Sequence, residues 1–297
     1  MNRNEFLGLI RAWSLPMTLA ASLVGAGYAY YVGLFRGVLS IIYTVMAVLG
    51  ALLLHASVNV LNDYYDVIHG VDILGSPTTK YRPHPLLMGS VSMSTVRTLG
   101  FSLMASGIAL GIYLTLTEGY WILVLGAMGV FLLYAYTGPP FTLKYRGLGE
   151  VSVALTWGPL LINGVFVAAS MGILGLGTLL VSLPPMLIMF SIIYANNYRD
   201  REYDSRAGVK SLAILTAGYG ANIYTASLIT AYITSLLLVI MRVLPTTSLI
   251  GLITTPLVPR LIKDFRLGKY DIDARTGMLY TLFCILYGVG IIIGKLV

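Results

Sequence analysis

The sequence is poor in cysteine, glutamine and charge, and each shortage narrows what the chain can be. Cys284 is the only cysteine, so no intramolecular disulfide can form and four-cysteine metal frameworks are excluded. Charged residues are 10% of the 297, against about a quarter in a soluble globular domain, while hydrophobic residues reach 57% and mean hydropathy is +0.84. That balance excludes an ordinary water-soluble fold and marks a polytopic membrane protein. Glutamine is absent, which fits the avoidance of thermolabile amides in proteins that work hot. A net charge of +7 would suggest nucleic acid in a soluble protein. Here no nucleic-acid partner is expected, and the useful question is which membrane face carries the cations.

What is present is a series of apolar runs. Nine of them, at 15–34, 39–66, 96–117, 120–136, 151–171, 178–198, 221–243, 247–262 and 275–297, come near the length of about 20 residues that crosses a bilayer. The first follows Arg3 and Arg11 as a signal peptide core would, but its apolar part is too long and a convincing cleavage site is lacking. The expected fold class is all-α, nine transmembrane helices in one bundle forming a single domain over residues 1–297. With the N-terminus in the cytoplasm, 16 cations lie on that side: Arg3, Arg11, Lys80, Arg82, Arg97, Lys144, Arg146, Arg199, Arg201, Arg206, Lys210, Arg260, Lys263, Arg266, Lys269 and Arg275. Arg36, Arg242 and Lys295 remain outside, a split that follows the positive-inside rule and puts the C-terminus outside. The polar residues gather in the inside loops at 70–95, 138–150 and 200–220, so the expected active site opens to the cytoplasm from the plasma membrane.

Charge is costly at the end of a long apolar run, and the sequence places it there twice. If 39–68 is one helix, Asn59, Asn62, Asp63 and Asp66 fall at i, i+3, i+4 and i+7, which is a single face, with Asp72 following after Gly70-Val71. Carboxylates this close raise one another's pKa unless a cation sits between them, and oxygen-only ligands suit Mg2+ better than zinc or copper. The run ending near 198 repeats the pattern with Asn196, Asp200 and Asp204 at i, i+4 and i+8, beside Asn197. Six of the twelve acidic residues, Asp63, Asp66, Asp72, Asp200, Glu202 and Asp204, lie in these two clusters. Each cluster begins with two asparagines still inside the apolar region, where polar groups are rare and usually functional. Glu202 points away by spacing and reads as a solvated charge.

Compact groups of cations accompany the clusters: Lys80 and Arg82, Lys144 and Arg146, then Arg199, Arg206 and Lys210. Carboxylates for Mg2+ with Lys and Arg nearby describe a diphosphate site, because the metal bridges phosphate oxygens and the basic side chains neutralise the rest. A diphosphate at the mouth of an apolar bundle implies a lipid tail running into it. Ionisation of an allylic diphosphate would leave a carbocation that aromatic faces stabilise and that water must not reach. Tyr64, Tyr65, Tyr134, Tyr136, Tyr194 and Tyr198 lie close by in sequence, although interface tyrosines also serve as anchors.

Three ordered segments carry a resemblance over nearly the whole chain. They are Asn62-Asp63-Tyr64-Tyr65-Asp66 with Gly70-Val71-Asp72, then Tyr136-Thr137-Gly138-Pro139-Pro140 to Lys144-Tyr145-Arg146-Gly147-Leu148-Gly149-Glu150, and Asn196-Asn197-Tyr198-Arg199-Asp200 to Ala207-Gly208-Val209-Lys210-Ser211-Leu212-Ala213. The chain resembles the UbiA superfamily of intramembrane prenyltransferases, all-helical with nine spans and two Asp-rich motifs, and within it the 1,4-dihydroxy-2-naphthoate branch of menaquinone synthesis. The third acid of the first motif is offset from the broader superfamily, with Gly70 where an acid is usual, a form the naphthoate branch shares. Arg82-Pro83-His84-Pro85-Leu86 instead resembles the hydroxybenzoate and lipid-forming branches.

The resemblance implies metal-assisted loss of diphosphate from a polyprenyl diphosphate, attack by an electron-rich ring carbon of a small aromatic acceptor, and loss of the ring carboxylate as carbon dioxide. It implies that Asn62, Asp63, Asp66, Asp200 and Asp204 hold Mg2+, the four aspartates as catalytic groups with Tyr136 for cation stabilisation. Asn59, Asn62, Asp72, Lys80, Arg82, Lys144, Arg146, Asn196, Asn197, Arg199 and Lys210 would bind substrate. His55, one turn before Asn59, either lines the acceptor pocket or is a buried structural histidine. A 4-hydroxybenzoate or glycerophosphate-lipid acceptor is the alternative within enzymes. A cation-coupled transporter is the alternative outside them, set against by acids that gather at one membrane face rather than at the midplane.

Overall fold

The computed structural model describes residues 1–76, 79 and 82–297, and contains no strand among the described residues. A short helix α1 (Arg3–Leu9) leads through a bend of 50° into α2 (Leu15–Tyr31). There follow α3 (Val38–Ile68), α4 (Met93–Glu118), α5 (Tyr120–Thr137), α6 (Gly149–Ala169), α7 (Leu176–Arg206), α8 (Gly220–Ile240), α9 (Leu257–Arg266) and α10 (Ile272–Ile293). Among the described residues seven helices, α3 to α8 and α10, are long and apolar enough to cross a membrane, and the bent α1–α2 unit makes eight. The ninth expected span, 247–262, is not one α-helix. Thr246–Thr254 winds as a 3-10 helix and α9 starts only after Pro256, whose ring interrupts α-helical bonding. α9 is amphipathic, with Val258, Leu261 and Phe265 buried while Arg260, Lys263 and Arg266 are exposed.

α3 sets the depth of the site. Its 31 residues make a rod about 46 Å long against a hydrocarbon layer of about 30 Å, so its C-terminal turns project past the apolar layer. Val38, Leu39, Ile41, Ile42, Val45 and Leu49 are exposed on its first half, as lipid-facing residues should be, whereas His55 to Asp63 are buried. α7 is continuous from Leu183 to Arg206 and carries the second acidic cluster on its last turns.

The bundle closes through small residues and paired hydroxyls. A Cβ on Gly25 would lie 2.3 Å from the Ile162 carbonyl oxygen, and one on Gly290 2.4 Å from that of Thr247. Only glycine lets α2 approach α6, and α10 approach the 3-10 segment, that closely. Tyr194, Tyr224, Tyr280 and Tyr287 are fully buried, and buried phenols need partners. Tyr224 pairs with Thr276 at 2.7 Å, Tyr232 with Thr254 at 2.6 Å and Tyr194 with Thr216 at 2.8 Å, joining α8 to α10, α8 to the 3-10 segment, and α7 to the loop after it. α6 contains a π-helical turn at Thr156–Leu160 that includes Pro159, and Asn163 Nδ2 donates to the Pro159 carbonyl at 2.7 Å. That bulge turns Thr156 and Trp157 toward an internal cavity.

Candidate active site

The two acidic helix ends come together with cations placed by three other elements. Arg11 sits at the α1–α2 bend with φ +48°, a left-handed backbone that an arginine adopts at a cost of order 1–3 kcal/mol. The bend aims its guanidinium at α3, where Nη2 donates to Asn62 Oδ1 and to Asp63 Oδ1, each at 2.7 Å. Asp63 is fully buried and also takes a two-point pair from Arg82, Nη2 to Oδ1 at 2.6 Å and Nη1 to Oδ2 at 3.0 Å.

Asp66, one turn on, accepts from three donors: Lys144 Nζ at 2.6 Å, Tyr145 OH at 2.5 Å and Asn62 Nδ2 at 2.9 Å. Lys144 and Tyr145 come from the 3-10 turn Leu143–Arg146, so that short structured loop is a wall of the site. Burial works against the Lys144 ammonium, but Asp66, with Tyr145, Tyr136 and Asp204 nearby, outweighs it and holds the pKa well above the usual lysine value. The Tyr145 phenol is pushed up by burial and by the Asp66 charge, so it stays a donor.

Asp72 leaves the α3 face, as its offset predicted, but folds back over it. The Asp66 carbonyl accepts from the backbone N–H groups of Val71 at 2.8 Å and Asp72 at 3.0 Å. Asp63, Asp72 and His84 then offer ligand atoms within 4.8 Å of one another. His84 Nε2 approaches Asp72 Oδ2 at 3.5 Å without hydrogen-bond geometry. Burial pushes the Asp72 carboxyl up, while His84 and Lys144 pull it further down, so the net direction is below the ordinary value.

On α7, Asp200 receives Arg199 Nε and Nη2, both at 2.7 Å. Arg199 is held in turn by Asn196 Oδ1 at 3.0 Å, Asp273 Oδ1 at 2.9 Å and the Tyr270 carbonyl at 3.2 Å. Asp204 differs from the other acids. It is 7% exposed, its carboxylate accepts no hydrogen bond among the described residues, and Lys144, Asp200, Asp66 and Asp72 all lie within electrostatic reach. A buried carboxylate among like charges with one lysine to share is the orphan that a divalent cation would satisfy, and the donors around it are oxygens.

Several expected site residues are placed elsewhere. Asn59 donates to the Ile10 carbonyl at 2.9 Å and to Ser14 Oγ at 3.2 Å, so it ties α3 to the bend rather than facing ligand. Arg146 is exposed and donates to the Pro140 carbonyl at 3.0 Å, because with three residues per 3-10 turn it leaves the helix about 120° away from Lys144. Lys210 is exposed and only its backbone N–H is engaged, by the Tyr145 carbonyl. Lys80 lies outside the described residues. Asn197 is buried with Nδ2 unpartnered, while its Oδ1 accepts from Asn196. Tyr136 stands half-buried against Gly149. Tyr134 is a loop brace, its hydroxyl donating to the Pro139 carbonyl at 2.9 Å. Glu202 is an exposed charge, as its spacing implied.

Other contributors were missed. In the sequence Arg11 speaks only to topology, Tyr145 and His84 appear only as members of matched segments with no role of their own, and Asp273 lies in no motif. Glu150 caps the Leu212–Leu215 turn by accepting from the Leu212 and Ala213 N–H groups, locking the Lys144 loop to the segment after α7. Glu150 had a visible signal, an acid ending the Gly-rich stretch of the second matched segment.

Beneath the polar layer lies an apolar cavity of about 140 Å3 between α2, α3, α4, α5 and α6. His55, Thr18, Thr156 and Trp157 form its polar part. Both ring nitrogens of His55 are taken, Nδ1 by Thr18 Oγ1 at 2.8 Å and Nε2 by Ser14 Oγ at 3.1 Å, and Trp157 packs edge-on at 4.7 Å. His55 is therefore a structural histidine that also shapes a wall.

Residues 18–283 match the UbiA prenyltransferase family, a span that takes in both acidic helix ends and the lysine loop. The chain belongs to that family. As a UbiA-family protein it is a multi-pass membrane prenyltransferase. A 1,4-dihydroxy-2-naphthoate octaprenyltransferase from Bacillus subtilis is 26% identical, the match covering 98% of this chain and 94% of that one. Solved structures share the fold. A digeranylgeranylglyceryl phosphate synthase superposes with a TM-score of 0.65 at 19% identity, over 98% of each chain. A UbiA homologue from Archaeoglobus fulgidus, bound to GPP and Mg2+, gives 0.65 at 16% identity, over 97% of this chain and 99% of that one.

Proposed function

We propose that this UbiA-family enzyme transfers a polyprenyl group from polyprenyl diphosphate to 1,4-dihydroxy-2-naphthoate, with Mg2+ as cofactor, as a step of menaquinone biosynthesis. The observation that carries the reading is a self-neutralised polar layer set directly over an apolar cavity. Asp63, Asp66 and Asp200 are each paired with a protein cation, and Asp204 is left over. A Mg2+ diphosphate offers the complement of this arrangement. The carboxylates of Asp63, Asp66, Asp200 and Asp204, with Asn62 and Asp72 beside them, would hold the metal, which supplies charge neutralisation to the leaving diphosphate. Arg82, Lys144 and Arg199 then exchange a carboxylate partner for phosphate oxygens, so charge is conserved as substrate enters.

The tail follows from the cavity, whose apolar walls accept a prenyl chain and keep water from the allylic carbon. The C–O bond of the allylic diphosphate breaks, the ring carbon bearing the carboxylate forms the new C–C bond, and that carboxylate leaves as carbon dioxide. Tyr136, beside the lysine loop, is the aromatic face offered to the developing cation. Support for the naphthoate acceptor comes from the Bacillus subtilis relative and from the Gly70-Val71-Asp72 form of the first motif. The Arg82–Leu86 stretch favours a second reading, a hydroxybenzoate or glycerophosphate-lipid acceptor. Purified protein given one prenyl diphosphate, Mg2+ and a panel of acceptors decides between them. Prenylated naphthol with stoichiometric carbon dioxide, abolished by EDTA, is expected, and product from another acceptor alone would overturn the assignment.

The same reading makes the whole chain one domain in the cell membrane, its N-terminus and site cytoplasmic. The 3-10 segment and α9 are jointly about 33 Å long, enough for a broken ninth crossing. A reporter fused to the C-terminus is expected to read outside. A cytoplasmic reading would remove the ninth crossing.

A further inference from the structure

The cavity beneath the polar layer has an uneven wall. Half of its lining is Leu, Ala, Met and Val, but Gly111 on α4, Gly126 and Gly129 on α5 and Gly164 on α6 also border it. A Cβ built on any of these four would meet no atom within 4 Å. They differ in this from Gly107, where a Cβ would come within 3.0 Å of the Gly50 carbonyl oxygen and 2.8 Å of Leu54. Gly107 is glycine because two helices touch there. The other four are glycine where nothing touches, and a glycine in an open helix interior costs about 0.5–1 kcal/mol relative to alanine with no packing return. What they share is the void.

Their depth is readable from helix pairing. His55 lies eight residues before Asp63, about 12 Å along α3, and forms part of the polar rim of the cavity. Gly107 of α4 meets Leu54 and Gly50, so α3 and α4 run antiparallel and Gly111, one turn on, borders the cavity beyond that level. α5 returns from Gly119, which places Gly126 and Gly129 opposite the same outer part. Gly126 is exposed and Gly111, Gly129 and Gly164 are half-buried, so the outer part opens sideways between helices rather than ending in a floor.

We infer that Gly111, Gly126, Gly129 and Gly164 are the length-determining residues of the prenyl site, holding open the outer half of the cavity so that long chains can pass through it and out toward lipid. The inference rests on the proposed donor class and adds which residues select within it. A short donor fills the inner half between Trp157, Leu54 and Leu133, while a long one has to run past the glycines.

The experiment is a graded series, alanine, valine and leucine at Gly126, Gly129 and Gly164, assayed with ten-carbon and forty-carbon diphosphates of the same allylic head. The ratio of kcat/KM for the long donor to that for the short one is expected to fall with side-chain size, by on the order of tenfold or more for leucine. Binding of non-hydrolysable thio-diphosphate analogues of both lengths should show the same ratio without turnover, and the alanine variants keep the test valid where a leucine variant fails to fold. A wild-type protein that transfers the prenyl group, with variants that leave the ratio flat or lose both donors equally, overturns the length assignment alone. A wild-type protein that binds no prenyl diphosphate overturns the function and the assignment together.

Discussion

Asp204→Asn is expected to remove nearly all prenyl transfer while leaving the protein at least as stable as the parent. Asp204 is the one buried site acid whose carboxylate accepts no hydrogen bond among the described residues, and three further carboxylates face it. Neutralising it relieves repulsion in the resting protein, so the thermal midpoint should stay or rise slightly. In the loaded site the same oxygen would complete the metal's ligands, and losing one pre-placed electrostatic contact at a transition state costs about 10²–10³ in rate. Asp63→Asn gives the contrast. It strips the charge partner from Arg82, itself buried, and an uncompensated buried charge costs about 3–5 kcal/mol, so that variant should lose activity and stability together. Initial rates at saturating Mg2+ and thermal unfolding in detergent read both quantities. Asp204→Asn retaining rates within a few-fold of the parent would remove it from the metal site.

How much of this was legible depended on whether a residue's partner lies on its own helix. The i, i+3, i+4, i+7 face of Asn59 to Asp66 was readable because one helix fixes it, and Asn62 does bond Asp66 across one turn. Periodicity gives a face but not what stands opposite. Asn59 shares that face, yet the α1–α2 bend covers it, and the bend depends on a single left-handed residue, Arg11, that no pattern announces. Arg82 and Lys144 were found because charge is scarce in an apolar chain and therefore conspicuous. Tyr145 and Asp273 were not, since a tyrosine in a chain with 21 of them, or an acid in the first turn of a helix, carries no contrast. The ninth apolar run is not the single α-helix that hydropathy alone implies. Residues 247–262 are apolar enough, but Pro256 divides the run and a window average does not register a break.

Lys144→Met is the second large effect, and its signature is a split between binding and pH. Among the described residues this ammonium is the one cation paired with Asp66, and its charge also acts on Asp204, so it stands where the leaving diphosphate would sit. Its removal should raise KM for the prenyl diphosphate and lower kcat, for a combined loss of about 10² or more in kcat/KM. It should also lower the thermal midpoint, because among the described residues Asp66 then keeps Asn62 and Tyr145 alone as side-chain donors. Lys144→Arg should recover stability before activity, since a planar fork cannot reproduce a point donor held at 2.6 Å inside a tight turn. The pH dependence follows from the sign of the shift. The folded pKa of Lys144 is raised, so its contribution is complete at any pH below the unfolded value of about 10.4 and is lost only as pH climbs through the higher folded value. Rates measured between about pH 7 and 9 should therefore show no alkaline limb owed to this residue. Such a limb, present in the parent and absent in Lys144→Met, would mean that Lys144 titrates in turnover and gives up a proton rather than holding a charge.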